Sequence, residues 1–370
     1  MLSVRESFTG QVDMDTEKDI LTLDQIQEAY SCVMSSKVVV RTPLLAHVQE
    51  LFADTEDRKQ AETSSDHSPE TEGSQRQADL ALVDLYLKME NMQTGGSFKI
   101  RGVVNQMRQV RKKHGDDCDL VTISAGNYGK AFAYCVGRSG GRSGVRNACI
   151  MPTTAPKNRV TLIESMGVYV KQVPTPDLEA EVDLLVKDGY VYCHSINDLD
   201  LIAGHASAGL ELLKDLPDPD IIVVGCGGGG FISGVASAVS LSGVRNCRIY
   251  AVEPEGAPSM YESFKAGRAV TLPHVQTVAV GLAPPYAGSL CYKHCRLFVE
   301  DVLLVSDQEI LQAMKKMFDR GIKAEPSGSA ALAAVLTGKV PDIQGKKVVV
   351  YVTGCNVTCD ELSQYLLQVS

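Results

Sequence analysis

The chain has 370 residues, 44% hydrophobic and 22% charged, with a formal net charge of -9. That length supports a buried core and a second domain. The acidic balance argues against nucleic-acid binding, and no apolar run of about 18 residues is present to cross a membrane. The opening stretch, MLSVRESFTGQVDMDTEKD, has no apolar segment and carries acids early, so neither a secretion signal nor a transit peptide is expected. The 11 cysteines are scattered, several inside apolar runs (Cys149, Cys193, Cys226), which reads as reduced thiols in a cytoplasmic protein. Cys291 with Cys295, and Cys355 with Cys359, lack the CxxC spacing of a zinc site.

Residues 1–20 are polar and expected to be frayed. Thr22 with Gln25 resembles a capping box, opening a helix to Ser35. Lys37–Val40 reads as a short β-branched strand ended by Thr42-Pro43. Residues 56–79 are nearly all Asp, Glu, Ser, Thr and Gln, the composition of a disordered insertion or a regulatory tether. Leu85, Leu87 and Met89 then alternate with Tyr86, Lys88 and Glu90, a strand period. A loop with two glycines follows, and from Ser97 a helical pattern sets Val103, Val104, Met107 and Val110 on one face. Lys99 thus stands at a loop-to-helix junction. From residue 119 strands alternate with helices: strands at 121–124, 147–151, 168–173, 190–194, 221–224, 248–252 and 347–352, each rich in Val and Ile. Such β-α repeats predict parallel sheets covered on both faces, with ligands at the carboxyl ends of the strands.

Four stretches end strands at such places. Around Lys99 runs ENMQTGGSFKIRG; alone, this lysine reads as a solvated charge. SAGNYG, Ser124–Gly129, offers hydroxyl, backbone and amide groups at a helix start, suited to an anion or to ordinary capping. VVGCGGGGFISG holds four consecutive glycines, Gly227–Gly230, whose N–H groups can converge on a phosphate. Gly225, Gly227 and Gly230 also spell GxGxxG after a strand, with Glu253 ending the next strand, so a nicotinamide oxidoreductase stays open. EPSGSAALAA, from Glu325, reads as a close-packing helix, and VVVYVTGCNV stops at Thr353.

Together, in this order and spacing, these stretches resemble the pyridoxal-phosphate (PLP) enzymes of fold type II, in the serine/threonine dehydratase and serine racemase branch. The resemblance runs from Thr22 to Leu367 apart from the acidic insertion. It implies an α/β fold with two open, twisted, mostly parallel sheets flanked by helices. A large domain would comprise residues 1–118 and 198–370, with a small domain, 119–197, inserted. It implies that Lys99 holds the cofactor as a Schiff base and acts as the base at Cα. Phe98 would pack on the ring, Asn127 would bond the ring hydroxyl, and Thr353 the ring nitrogen. Gly227, Gly228, Gly229, Gly230 and Phe231 would bind the phosphate. Ser124, Ala125 and Asn127 would receive the substrate carboxylate, with Tyr128 beside them. Glu253, the Ala257 carbonyl and Ser259 would hold a cation, potassium in preference to magnesium. A homodimer or homotetramer acting on a small amino acid is implied.

The implied chemistry is removal of the Cα proton and loss of a β-hydroxyl, giving a 2-oxo acid and ammonia. A hydroxyl partner such as Thr353 leaves the ring nitrogen neutral, which favours prompt elimination. Racemases of this family carry a serine opposite the lysine where this chain has Ala125, so dehydration is expected over racemisation. Tyr128 replaces a usual histidine, Gly95 a usual threonine, and Val280 a usual aspartate, so a bulkier or more apolar β-hydroxy amino acid than serine is an alternative substrate. No feedback-regulatory domain is expected after Ser370. A non-catalytic paralogue would have no need to retain Lys99.

Overall fold

The computed structural model describes residues 18–52, 82–138 and 144–369. The expected acidic insertion at 56–79 and the terminal stretch 1–17 lie outside the described residues. The helix α1 (Leu23–Ser35) opens on the expected reciprocal cap between Thr22 and Gln25. Just ahead of it the chain is pinned rather than frayed. Lys293 Nζ pairs with Asp19 at 2.5 Å, and Leu21 N–H donates to His294 Nε2 at 3.1 Å.

Two sheets carry the fold. The larger has six strands: β1 (Leu44–Leu45), β2 (Asp84–Lys88), β7 (Ile221–Gly225), β8 (Arg248–Pro254), β9 (Asp301–Val305) and β10 (Lys347–Tyr351). Their order is β1-β2-β10-β7-β8-β9. All pairs are parallel except β1 with β2. The smaller sheet holds β3 (Leu120–Ile123), β4 (Asn147–Pro152), β5 (Tyr169–Val173) and β6 (Val191–Tyr192), parallel and in the order β5-β4-β3-β6.

The apolar runs explain the layering. In β7, Ile221 and Val223 enter one core and Ile222 and Val224 another, and Val348 and Val350 of β10 oppose Val349 and Tyr351 likewise. Helix α12 (Pro326–Leu336) covers the first face; α7 (Leu199–Asp215), α8 (Gly230–Leu241) and α10 (Ser289–Phe298) cover the second. A strand buried on both faces needs apolar residues at every position, not every second one. On the small sheet, α3 (Lys99–His114) and α4 (Asn127–Arg138) lie over one face, where Ile100, Val103 and Met107 meet Leu120, Phe132 and Met151. Val104 and Val110 of the expected α3 face are only partly buried against it.

Three local expectations are corrected. Lys37–Val40 is not a strand. Its backbone is served by side chains: Ser36 Oγ accepts from Val38 and Val39 N–H, and the Gln93 amide bonds both polar groups of Val40. With those bonds made locally, no ladder partner is needed. The polar positions Lys88, at the end of β2, and Glu90, just beyond it, are not solvent-facing but fully buried. Finally, β9 and its helix α11 (Asp307–Phe318) were not expected, although Ser306 and Glu309 form a capping box that marks the helix start.

Candidate active site

The carboxyl ends of β2, β7, β10 and β3 face one cavity of about 210 Å³. Its wall includes Phe98, Lys99, Ser124, Asn127, the glycine run, Val280–Pro284, Glu325, Ser327 and Thr353. Lys99 reaches it because its loop is fastened to the segment after β10. Ser97 bridges Gly354, Phe98 N–H donates to Thr353 O at 3.2 Å, and Cys355 N–H donates to Gly96 O at 2.9 Å. Gly95 and Gly96 have φ of 78° and 76°, a left-handed conformation in which other residues are strained. At Gly96 a Cβ would also lie 2.7 Å from Asn356 Oδ1.

Lys99 Nζ sits 4.9 Å from the centroid of the Phe98 ring and has no ion-pair partner among the described residues. Burial pushes its amine down to about 8, against weaker upward pulls from Cys291 and Glu325. At pH 7 about a tenth of the amine is therefore uncharged and nucleophilic, far more than for an ordinary lysine. Phe98 does not stand alone: Phe231 stacks on it at 3.9 Å between centroids, and His205 meets it edge-on at 5.0 Å. Burial, with Lys99 and Arg101 nearby, holds His205 well below its usual range, so it is a neutral ring in this packing.

The glycine run follows β7 and opens α8. Gly229 is left-handed, with φ of 97°. A Cβ there would lie 2.7 Å from Met260 Cε, and one at Gly228 would lie 2.5 Å from Ile196 Cγ2, so neither site has room for a side chain. Among the described residues, the N–H groups of Gly227, Gly228, Gly229 and Gly230 have no backbone acceptor. N–H groups left unpaired along a cavity at a helix start are donors that a phosphate would satisfy. The donor set therefore fits the cofactor that the resemblance implies.

Asn127 begins α4 and reaches the cavity from the small-sheet side. Its Nδ2 donates to Glu325 Oε1 at 2.6 Å, and its Oδ1 accepts from Asn356 at 2.8 Å. Ser124 lines the cavity, but its hydroxyl also caps α4, accepting from Gly126 N–H at 3.2 Å and Gly129 N–H at 2.9 Å. Ala125 is absent from the cavity wall and packs against the small-sheet core. Tyr128 is on the wall, but its hydroxyl is held by Gln106 Oε1, at 2.5 Å, and the Cys193 carbonyl. Any substrate contact would thus come from its ring or backbone. Thr353 donates to Ser327 O at 3.3 Å, a long bond that a stronger acceptor in the cavity would displace.

At the implied cation site the chain's own donors take up part of the Glu253 carboxylate. Glu253 is fully buried at the end of β8 and acts as a cap for α9 (Ser259–Ala266). Its Oε1 accepts from Met260 N–H at 2.8 Å and the Ser259 hydroxyl at 3.3 Å, and its Oε2 from Tyr261 N–H at 2.8 Å. Burial pushes the carboxyl up to about 8. Ala257 is buried beside it, but both carboxyl oxygens are already engaged by the chain itself. Glu253 is also absent from the wall of the cavity at the glycine run, which weakens the dinucleotide alternative.

Sequence reasoning missed Glu325. It precedes Pro326 at the start of α12 and lines the cavity. Burial raises its carboxyl above the usual range, opposed first by the Asn127 bond. A lone acid ahead of a helix of small residues was the available sign. Ser327, whose Oγ accepts from Gly281 N–H at 2.8 Å, was missed as well.

Residues 71–354 match the family described as pyridoxal-phosphate dependent enzyme. The chain is similar to the L-threonine ammonia-lyase of Thermotoga maritima, 33% identical over 290 residues, 76% of this chain and 70% of that one. It is 34% identical over 289 residues to the catabolic L-threonine dehydratase TdcB of Escherichia coli K12, 76% of this chain and 85% of that one. The solved structure of maize serine racemase shares 28% identity with a TM-score of 0.77, covering 94% of this chain and 97% of that one. With its two mostly parallel sheets and this site between them, the chain belongs to the pyridoxal-phosphate dependent enzyme family.

Proposed function

We propose that this chain is an ammonia-lyase that removes water from a β-hydroxy amino acid of the serine or threonine type, giving a 2-oxo acid and ammonia. The observation that carries the reading is convergence. Lys99, Asn127, the glycine run and Thr353 come from four separate strand ends and line one cavity. When bound there, pyridoxal phosphate supplies the electron sink that makes the substrate Cα–H acidic.

The chain's residues do the rest. The N–H groups of Gly227–Gly230 and Phe231 hold the phosphate. Phe98 would flank the ring, Asn127 would bond its hydroxyl and Thr353 its nitrogen. Lys99 would hold the cofactor through its Nζ and would serve as the base for the substrate Cα proton; its lowered basicity suits both roles. The start of α4, with Ser124 and Asn127, receives the substrate carboxylate at the positive end of the helix dipole. At the position where the resemblance implies a racemase serine, Ala125 has no proton to give, which favours dehydration over racemisation. Beside the substrate, Val280, Leu282, Ala283 and Pro284 make an apolar wall, with Val280 73% exposed at its rim. That wall favours a threonine-type or larger apolar β-substituent over serine.

The domain reading, residues 119–197 inserted into 1–118 and 198–370, is supported by the separate four-stranded and six-stranded sheets. A cytoplasmic location is supported by all 11 cysteines being free. A homodimer or homotetramer remains part of the proposal through the resemblance.

The test is direct: purified protein loaded with pyridoxal phosphate is given L-threonine and L-serine. Release of 2-oxobutyrate or pyruvate is expected. D-amino acid appearing without oxo acid would assign a racemase instead, and no turnover of any β-hydroxy amino acid would overturn the reading.

A further inference from the structure

A hydrogen-bonded chain crosses from the small-sheet side to the large-sheet side beside the cavity. Lys130 Nζ donates to Asn356 Oδ1 at 2.6 Å. Asn356 Nδ2 donates to Gly95 O at 2.9 Å and to Asn127 Oδ1 at 2.8 Å. Asn127 Nδ2 then donates to Glu325 Oε1 at 2.6 Å. The two ends of an amide have nearly the same shape, so its orientation must be set by its neighbours. Here they set it at both ends. A protonated lysine only donates, so Asn356 must turn its oxygen to Lys130. A backbone carbonyl only accepts, so Asn356 must turn its nitrogen to Gly95. Asn127 then has to meet that nitrogen with its own oxygen, leaving its NH₂ group toward Glu325 and the cavity.

Independent packing keeps Asn356 in place. Its backbone carbonyl accepts from Arg159 Nη2 at 3.1 Å, and its side chain lies so close to Gly96 that a Cβ there would come within 2.7 Å of Oδ1. Lys130 is half-buried, one turn along α4 from Asn127. The relay therefore ties the first turn of α4 to the loop that carries Lys99.

We propose that Lys130 and Asn356 are positioning residues that fix the polarity of the Asn127 amide, so that it presents a hydrogen-bond donor, and never an acceptor, to the bound cofactor. This rests on the reading above that Asn127 faces the cofactor's ring oxygen. A donor there stabilises negative charge on that oxygen and so favours the form of the Lys99-bound cofactor in which the proton sits on nitrogen. The two proton positions absorb at different wavelengths, which gives a readout separate from turnover.

The experiment records the absorption spectrum of the cofactor-loaded protein and its variants. Lys130→Met removes one of the two groups that orient Asn356 and should lower the ratio of the long-wavelength band to the short-wavelength band, by at most about five-fold, the size of one net hydrogen bond. Asn356→Asp keeps the shape but cannot donate, so Asn127 must turn its NH₂ toward it; the ratio should fall further. Lys130→Arg restores a donor and should return the ratio to that of the unaltered protein. Should Lys130→Met not fold, the near-isosteric Asn356→Asp and the Lys130→Arg rescue carry the test. An unaltered ratio in Asn356→Asp overturns the inference while leaving the function standing. A protein that gains no such bands on addition of pyridoxal phosphate overturns the function and the inference together.

Discussion

Two lysines, Lys88 and Lys99, stand at either end of one short loop and have opposite surroundings. Lys88 is fully buried, with Glu211 Oε1 at 2.7 Å, Asp215 Oδ2 at 3.6 Å and the Thr42 carbonyl at 2.8 Å. Beside it Arg101 makes a two-pronged contact with Glu90, both bonds 2.8 Å, and a third with Glu211 at 2.9 Å. Lys99 has no ion-pair partner among the described residues, and burial pushes its amine down to about 8 against weaker upward pulls from Cys291 and Glu325. A buried charge given partners becomes a fastener; one denied partners loses its proton more easily and becomes the better nucleophile. The fastener serves the nucleophile: Arg101 lies two positions after Lys99 on α3, and Glu90 begins the loop between the lysines. The ion cluster thus fixes both ends of the segment that presents Lys99.

This contrast can be broken by substitution. Lys99→Ala should reduce turnover by about 10⁴-fold or more, since both cofactor attachment and the base are lost; oxo-acid release measures it, and the urea midpoint should not fall. Lys88→Met should do the reverse. It leaves Glu211 and Arg101 imbalanced in the interior, at a cost of about 3–5 kcal/mol in urea unfolding, with turnover per folded molecule retained. A Lys88→Met protein as stable as the original would remove the fastener role.

The contrast also has a pH signature. In cofactor-free protein the folded state holds Lys99 at about 8 against 10.5 for an ordinary lysine. Between those values the unfolded chain binds more protons than the folded one, so stability rises with pH across that window. The rise is on the order of 3 kcal/mol at most. Thermal unfolding from pH 7 to 10.5 should show it, and Lys99→Met should flatten its share of the slope. The smallest effect concerns specificity: Val280→Asp should shift the ratio of serine to threonine kcat/KM toward serine by about ten-fold, read by oxo-acid release. No shift would mean that the Val280 rim does not meet the substrate.

The sequence made the nucleophile more legible than the fastener, for a physical reason. Lys99, Asn127, Gly227–Gly230 and Thr353 sit in four stretches whose order along the chain carries the resemblance, although Lys99 alone reads as a solvated charge. Lys88 looked like the outward position of an alternating strand. What buries it is Glu211 on a distant helix, and nothing local to Lys88 indicates that partner. Val40 likewise has strand composition, but Gln93 takes over its backbone bonds. Glu253 looked like a ligand because it ends a strand, whereas the amides that claim it arrive only when α9 folds back. Glu325 was hidden inside a helix that composition alone explains.

The claim beneath the rest is that the Lys99 amine is the one that captures the cofactor. Borohydride reduction of the pyridoxal-phosphate-loaded protein, followed by mass mapping of its peptides, tests this directly. The account predicts a single stoichiometric label on Lys99. A label on another lysine, or none, would contradict it.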